Sequence, residues 1–286
     1  MKRSFIITEK QVKILVNEIG EVLKGTDIRG YSFDWDDNIL FMPTKIKMER
    51  KDGNNWIPID VSTSDFTELR DNPEYRLSKN SYSNFREPES FIRDTKKAID
   101  EKMFGPSFEK FKESLIYANP FSIITARGTS PNTLKEGVKI LISMTFNTDE
   151  INKMIDNITE IYPTTEELGL EEKIEYYLSQ NDYSPVSSIQ FRNKFGIESD
   201  VDSPEEGKKI ALKDYVDRVV KGAEKLANGE ETNLSIGFSD DDKKNIEAVV
   251  NYIENELSGT YPNIKFLVYD TSKGNKNKII VSKLVD

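Results

Sequence analysis

The densest chemistry in the chain lies in Asp34-Trp35-Asp36-Asp37-Asn38, which follows the apolar lead-in Tyr31-Ser32-Phe33. Three carboxylates therefore stand where a strand would end. Aspartate is a poor strand former and costly to bury, so such a cluster calls for a cation, a hydrogen-bond network or a chemical task. An isolated Asp-x-Asp is more often a solvated turn, and its meaning depends on partners elsewhere. Candidate partners are Thr125 at the end of the run Pro120–Thr125, with Arg127 just beyond it, Lys208 and Lys209 on a helix, and Asp240-Asp241-Asp242 after Asn233–Phe238.

The chain has no cysteine and no histidine. That removes disulfides, thiolate nucleophiles, Cys/His zinc sites, Ser-His-Asp triads and imidazole acid/base chemistry. Any acid, base or nucleophile must come from a carboxylate, Lys, Tyr, Ser or Thr, and any metal must be held by oxygen, which favours Mg²⁺, Mn²⁺ or Ca²⁺.

The elements that must position these groups are readable from periodicity and turn residues. Apolar residues from Glu9 to Leu23 fall at helical spacing ahead of the aspartate-rich strand. A hairpin is expected over Lys45–Met48 and Trp56–Val61 around Asp52-Gly53-Asn54, followed by helices near Ser90–Lys102 and Ser107–Tyr117. Pro120–Thr125 reads as a buried strand with a helix behind it over Thr133–Phe146, and strand followed by helix implies a parallel sheet. Further helices are expected over Asp149–Ile161, Leu170–Ser179 and Gly207–Ala227, and further strands over Val186–Phe191, Asn233–Phe238, Ile264–Tyr269 and Lys278–Leu284. In a parallel sheet the strand C-termini share one edge, where ligands bind, so Asp34, Thr125 and Asp240 to Asp242 can converge there.

Each group also has a plain structural account. Thr125 is an ordinary strand residue, Lys208 and Lys209 a solvated helix face, and Asp240 to Asp242 an N-cap. Trp35 is expected to pack on the far face of the sheet, and Asp37 to face solvent.

In order, strand context and spacing, the set resembles the haloacid dehalogenase-like superfamily. Asp34-Trp35-Asp36-Asp37-Asn38 matches its D-x-D-x-T/V motif, with Asn in the last place. Ile123-Ile124-Thr125 matches its apolar strand ending in Thr or Ser, and Lys208 and Lys209 both qualify as its lone helix lysine. Ile236-Gly237-Phe238-Ser239-Asp240-Asp241-Asp242 matches its strand, glycine and D-x-x-x-D motif, in which Asp241 and Asn245 fit the spacing best, with Asn for the final Asp.

The resemblance implies an α/β fold, a Rossmann-like parallel sheet flanked by helices, with inserted cap segments. Residues 1–40 and 118–286 would form the core, with a helical insert at about 129–184, and 41–117 would form a cap-like insert. It implies a Mg²⁺-dependent phosphatase acting on a phosphomonoester. Asp34 would be the nucleophile that becomes an aspartyl phosphate, and Asp36 the general acid and base. Thr125 and Lys208 or Lys209 would hold the phosphoryl group, and Asp34, the Asp36 carbonyl and one of Asp240, Asp241 and Asp242, with Asp241 or Asp240 favoured, the metal. Arg127 and Asn38 are candidate substrate contacts.

The substrate is expected to be phosphorylated but of open class, a nucleic-acid end among the alternatives. Other readings are a catalytically silent relative that binds a partner, and a Ca²⁺-binding structural protein, although no EF-hand-like loop is present. A net charge of −10, from 40 basic and 50 acidic residues, argues against non-specific nucleic-acid binding. With no apolar run long enough to span a bilayer and no secretory h-region, the expected location is the cytoplasm.

Overall fold

The computed structural model describes residues 26–197, 203–227, 232–274 and 277–281, so the helix expected over Glu9–Leu23 lies outside the described residues. β1 (Thr26–Phe33) runs into the aspartate-rich loop, after which the chain builds the hairpin β2 (Ile46–Asp52) and β3 (Asn55–Val61). Its turn is made possible by Gly53 at φ 60°. A capping box between Ser62 and Asp65 starts α1 (Thr63–Leu69). The short β4 (Tyr75–Leu77) and α2 (Ser83–Arg86) follow. The three strands form an antiparallel sheet of order β3-β2-β4, with a small core of its own around Ile46, Met48, Val61 and Phe85.

α3 (Pro88–Asp100) and α4 (Phe108–Ile116) return the chain to β5 (Phe121–Thr125). Then come α5 (Pro131–Thr145), α6 (Thr148–Ile161), α7 (Leu170–Ser179) and β6 (Asp182–Pro185). The last third holds α8 (Ile189–Phe195), α9 (Pro204–Ala227), β7 (Thr232–Asp240), α10 (Lys243–Tyr252), β8 (Ile264–Asp270) and β9 (Asn277–Ile280).

The main sheet has the order β6-β5-β1-β7-β8-β9, parallel throughout except for β9. It is Rossmann-like and buried on both faces, which is why β5 is apolar or buried at every position. Alternate residues feed two cores. Phe33, Phe121 and Ile123 pack with Phe91, Phe111 and Leu134 from the helices on one side. Ile124, Ile236, Phe238 and Val268 pack with Leu212 and Val216 of α9 on the other. Full burial of each such side chain contributes roughly 1.5–3 kcal/mol.

Two expectations need redrawing. Val186–Phe191 is not a strand: Ser188 caps a helix there, its side chain accepting from the Phe191 amide. The alternation Val186, Ile189, Phe191 reflects a helix start, while the true edge strand β6 is too polar and short to announce itself. In the segment 41–117, α3 and α4 belong to the main core through Phe91, Ala98, Phe108 and Phe111, leaving β2 to α2 as the part with a core of its own. Likewise α5 to α7 supply Leu134, Met154 and Tyr177 to that main core as one of its helical layers.

Among the described residues no helix is long and apolar enough to cross a membrane.

Candidate active site

From β1 the chain visits β5 and β6 on one side and then crosses to β7 on the other. The carboxyl end of β1 is therefore the point where the order reverses, the place such sheets bind ligands. The register sets Phe33 opposite Ile123 on β5 and Ser239 on β7, so Asp34, Thr125 and Asp240 emerge side by side.

The loop after β1 is fixed from several directions. The Asp34 amide donates to the Ser239 carbonyl at 2.9 Å, and the Ile39 and Leu40 amides fold back onto the Trp35 carbonyl. Gly105 lies against this turn so closely that a Cβ there would sit 2.4 Å from the Asn38 carbonyl oxygen. Trp35 turns into the apolar core against Phe91 and Phe111, on the side expected for it.

Asn38, entertained as a substrate contact, is wholly buried and acts as a staple. Its Nδ2 lies 3.0 Å from the Asp34 carbonyl and 3.0 Å from Ser239 Oγ, while its Oδ1 accepts from Thr271 at 3.0 Å. Three strand ends are tied by one amide.

Lys208 resolves the choice between the two lysines. It is 1% exposed, with Nζ 3.1 Å from Asp34 Oδ1 and 2.6 Å from Asp240 Oδ2. Lys209, one residue further around α9, points away and pairs with Glu206. Burial alone would depress the Lys208 ammonium, but Asp240 and Asp34 outweigh it and hold its pKa above the ordinary lysine value. Burial also raises the Asp34 carboxyl well above the usual range, against the pull of Lys208.

At the end of β7 the strand runs two residues beyond Phe238 and carries Asp240 into the site. Asp240 Oδ1 accepts from Asn245 at 3.1 Å and from the Asp242 amide at 3.0 Å. Asn245 therefore serves Asp240, not Asp241 as the motif spacing suggested. Asp242 is the N-cap of α10 and is forked by Arg70 of the insert at 3.0 and 3.2 Å.

Asp34, Asp240 and Asp241 each offer a carboxylate oxygen within 4.8 Å of the others. Formally, three carboxylates and one lysine leave two negative charges in a largely buried place. Burial and the neighbouring Asp240, Asp34 and Asp37 push the Asp241 carboxyl well up, and among the described residues nothing donates a hydrogen bond to it. All donors are hard oxygens, and the charge deficit matches one divalent cation of the Mg²⁺ kind.

Asp36 and Thr125 meet as expected, but Asp36 is not free. Arg127 Nε and Nη2 reach its two oxygens at 2.8 and 2.7 Å, and Thr125 Oγ1 is 3.4 Å away. Arg127 is 1% exposed, so it grips Asp36 in this arrangement and is not displayed to a ligand.

Compared with protein-family models, with curated proteins and with solved structures, the chain matches none. The chemistry of the site therefore rests on its own geometry.

Asp37 corrects a further expectation. It is half-buried rather than facing solvent, adopts φ 53°, and accepts a hydrogen bond from Thr63 at the start of α1. Burial lifts its pKa to about 6. With Asp241, Phe41, Met42, Lys45 and Lys97 it lines a cleft of about 480 Å³ between the main sheet and the insert. Spacing carried no signal for Asp37, Arg70 or Thr271, because each acquires its role only through a contact distant in sequence.

Proposed function

We propose that this chain is a Mg²⁺-dependent phosphomonoester hydrolase of the haloacid dehalogenase-like kind, working in the cytoplasm. The observation that carries the reading is the buried Asp34 carboxylate held by Lys208 at the sheet's switch point, with Asp240 and Asp241 beside it.

On this reading Asp34 attacks phosphorus and the bond to the leaving oxygen breaks, giving an aspartyl phosphate. Lys208 neutralises charge shared by the nucleophile and the phosphoryl oxygens, and Thr125 donates to one of those oxygens. Asp36 gives a proton to the leaving oxygen and then takes one from the water that hydrolyses the acyl phosphate. Asp34, Asp240 and Asp241, with the Asp36 carbonyl, would hold Mg²⁺, which supplies positive charge against the anionic ester. The cleft receives the leaving group, with Phe41 and Met42 as an apolar wall and Lys45 and Lys97 as cations.

A binding protein without turnover is the second reading, and the Arg127 fork that occupies both Asp36 oxygens favours it. The two separate on hydrolysis of an aryl phosphate with Mg²⁺ or EDTA, comparing the wild type with Asp34→Asn. Turnover that needs Mg²⁺ and disappears in the variant supports the hydrolase. Turnover retained by Asp34→Asn sinks the mechanism, and no turnover by the wild type favours the binding protein.

A further inference from the structure

Arg127 is held by Asp36, by Thr44 and Phe85 at the two ends of the insert, and by Phe91 of α3. Its guanidinium carbon lies 4.8 Å from the Phe85 ring centroid and 4.9 Å from that of Phe91, so the cation rests over two aromatic rings. Nη2 also donates to Thr44 Oγ1 at 2.8 Å, and Thr44 in turn donates to the buried Asp94 at 2.7 Å. The backbone joins in, with the Gly128 amide donating to the Phe85 carbonyl at 3.2 Å.

Thr44 and Phe85 occupy special places in the chain. Thr44 is where the polypeptide leaves the main sheet for β2, and Phe85 is where it comes back through α2. The insert is thus attached at two crossings, and both touch the residue that holds Asp36. Its far end is fastened separately, by Arg70 on Asp242 and Lys244 on Asp71.

One further atom points to a second arrangement. Arg127 Nη1 is buried and has no hydrogen-bond partner. Leaving a buried donor unpaired costs roughly 1–3 kcal/mol, more when it is charged. An arrangement that brings an anionic oxygen to Nη1 recovers that cost, and a phosphoryl group supplies such an oxygen.

We propose that Arg127 is the positioning residue of Asp36, and that the insert over residues 46–86 sets, through Thr44 and Phe85, how Arg127 aims Asp36 at a leaving group. The proposal rests on the hydrolase reading for its chemical meaning, but the coupling between insert and Asp36 is a property of the fold. With Asp36 so aimed, its proton passes to the leaving oxygen as the bond to phosphorus breaks and the Asp34–phosphorus bond forms.

General acid assistance matters for an alkyl leaving group and little for an activated aryl one, which separates positioning from general damage. The test measures kcat/KM with Mg²⁺ for glycerol phosphate and p-nitrophenyl phosphate in the wild type, Arg127→Met, Arg127→Lys and Thr44→Val. The ratio kcat/KM covers the steps through departure of the leaving group. Arg127→Met is expected to lose on the order of 10²-fold on the alkyl ester and no more than about threefold on the aryl ester. Arg127→Lys, which keeps the charge without the fork, and Thr44→Val, which loosens the grip from the insert side, are expected to lose selectively but less. Equal losses on the two esters, or none, overturn the proposal.

A second arm needs no turnover. Hydrogen exchange of amides in residues 46–86 is expected to speed up about tenfold in both Asp36→Asn and Arg127→Met, because each breaks the same linkage. Unchanged exchange in both overturns the coupling. If the wild type hydrolyses neither ester, the hydrolase reading falls, while this arm still decides whether the insert and Asp36 are linked.

Discussion

Replacing Lys208 by Met tests how the site balances its charge. At an effective dielectric of about 20, a charge 2.6 Å from one carboxylate and 3.1 Å from another is attracted by roughly 6 and 5 kcal/mol. Desolvation of the three ions takes back several kcal/mol each, so the net worth of the pairing is far smaller. Removing the lysine is different, because it leaves Asp34 and Asp240 buried beside Asp241 with no cation. Losses of about 3–5 kcal/mol are typical of that event.

Urea denaturation in EDTA at pH 7 is therefore expected to show Lys208→Met less stable than the wild type by about that amount. The deficit should shrink towards pH 4, since acid lets the orphaned carboxylates take up protons in place of the ammonium. Added Mg²⁺ should restore part of it and raise the midpoint more in the variant than in the wild type, because the variant site carries one more uncompensated charge. A variant within 1 kcal/mol of the wild type in EDTA, or one whose deficit is independent of pH and Mg²⁺, would refute the view that Lys208 balances a cation site.

Two further substitutions probe the surroundings. Asp37 has a folded pKa near 6 against an ordinary 3.8, so its contribution favours folding below about pH 4 and is lost as pH rises through about 6. Above that the folded state bears a cost of about 3 kcal/mol. Asp37→Asn keeps an acceptor for Thr63 and tolerates the positive φ. In EDTA it should gain up to about 3 kcal/mol at pH 7 and nothing at pH 4, and parallel stability curves for the two proteins would contradict this. Gly105→Ala drives a methyl to within 2.4 Å of the Asn38 carbonyl oxygen, so about 1–3 kcal/mol of destabilisation is expected by thermal melting, together with slower turnover. A variant with unchanged stability and activity would mean that the turn bearing Asp34 to Asn38 is far more pliable than its hydrogen bonds imply.

What could be read in advance follows from how local each signal is. The hairpin over Ile46–Val61 and the helices Leu170–Ser179 and Pro204–Ala227 declare themselves through turn residues, apolar periodicity and caps, all contained in a few neighbouring positions. Strand β6, with the sequence Asp-Tyr-Ser-Pro, has no such pattern, since only its contact with β5 makes it a strand. At the site, Asp34 and Thr125 were visible as polar residues ending apolar runs. Lys208 and Lys209 were not separable, because one residue on a helix turns the side chain by about 100° and only the sheet beneath decides which lysine faces inwards. Asp240 was obscured by the length of β7. The engagement of Asp36 by Arg127 could not be foreseen, because it depends on a cage of Thr44, Phe85 and Phe91 assembled from three separate elements.

The Asn38 amide that ties three strand ends also sets an order of events in time. Asn38 and Thr271 are 233 positions apart, so a growing polypeptide carries its acidic loop for roughly 10–50 seconds of synthesis before the last anchoring hydroxyl exists. For most of that interval, until Ser239 and Asp240 have been made, Asp34 has neither the Ser239 carbonyl to fix its backbone nor Asp240 to share Lys208. Contacts this remote are also the slowest to close. A chain that stops before β8 accordingly keeps the ties from Asn38 to Asp34 and Ser239 but lacks the Thr271 hydroxyl that completes them.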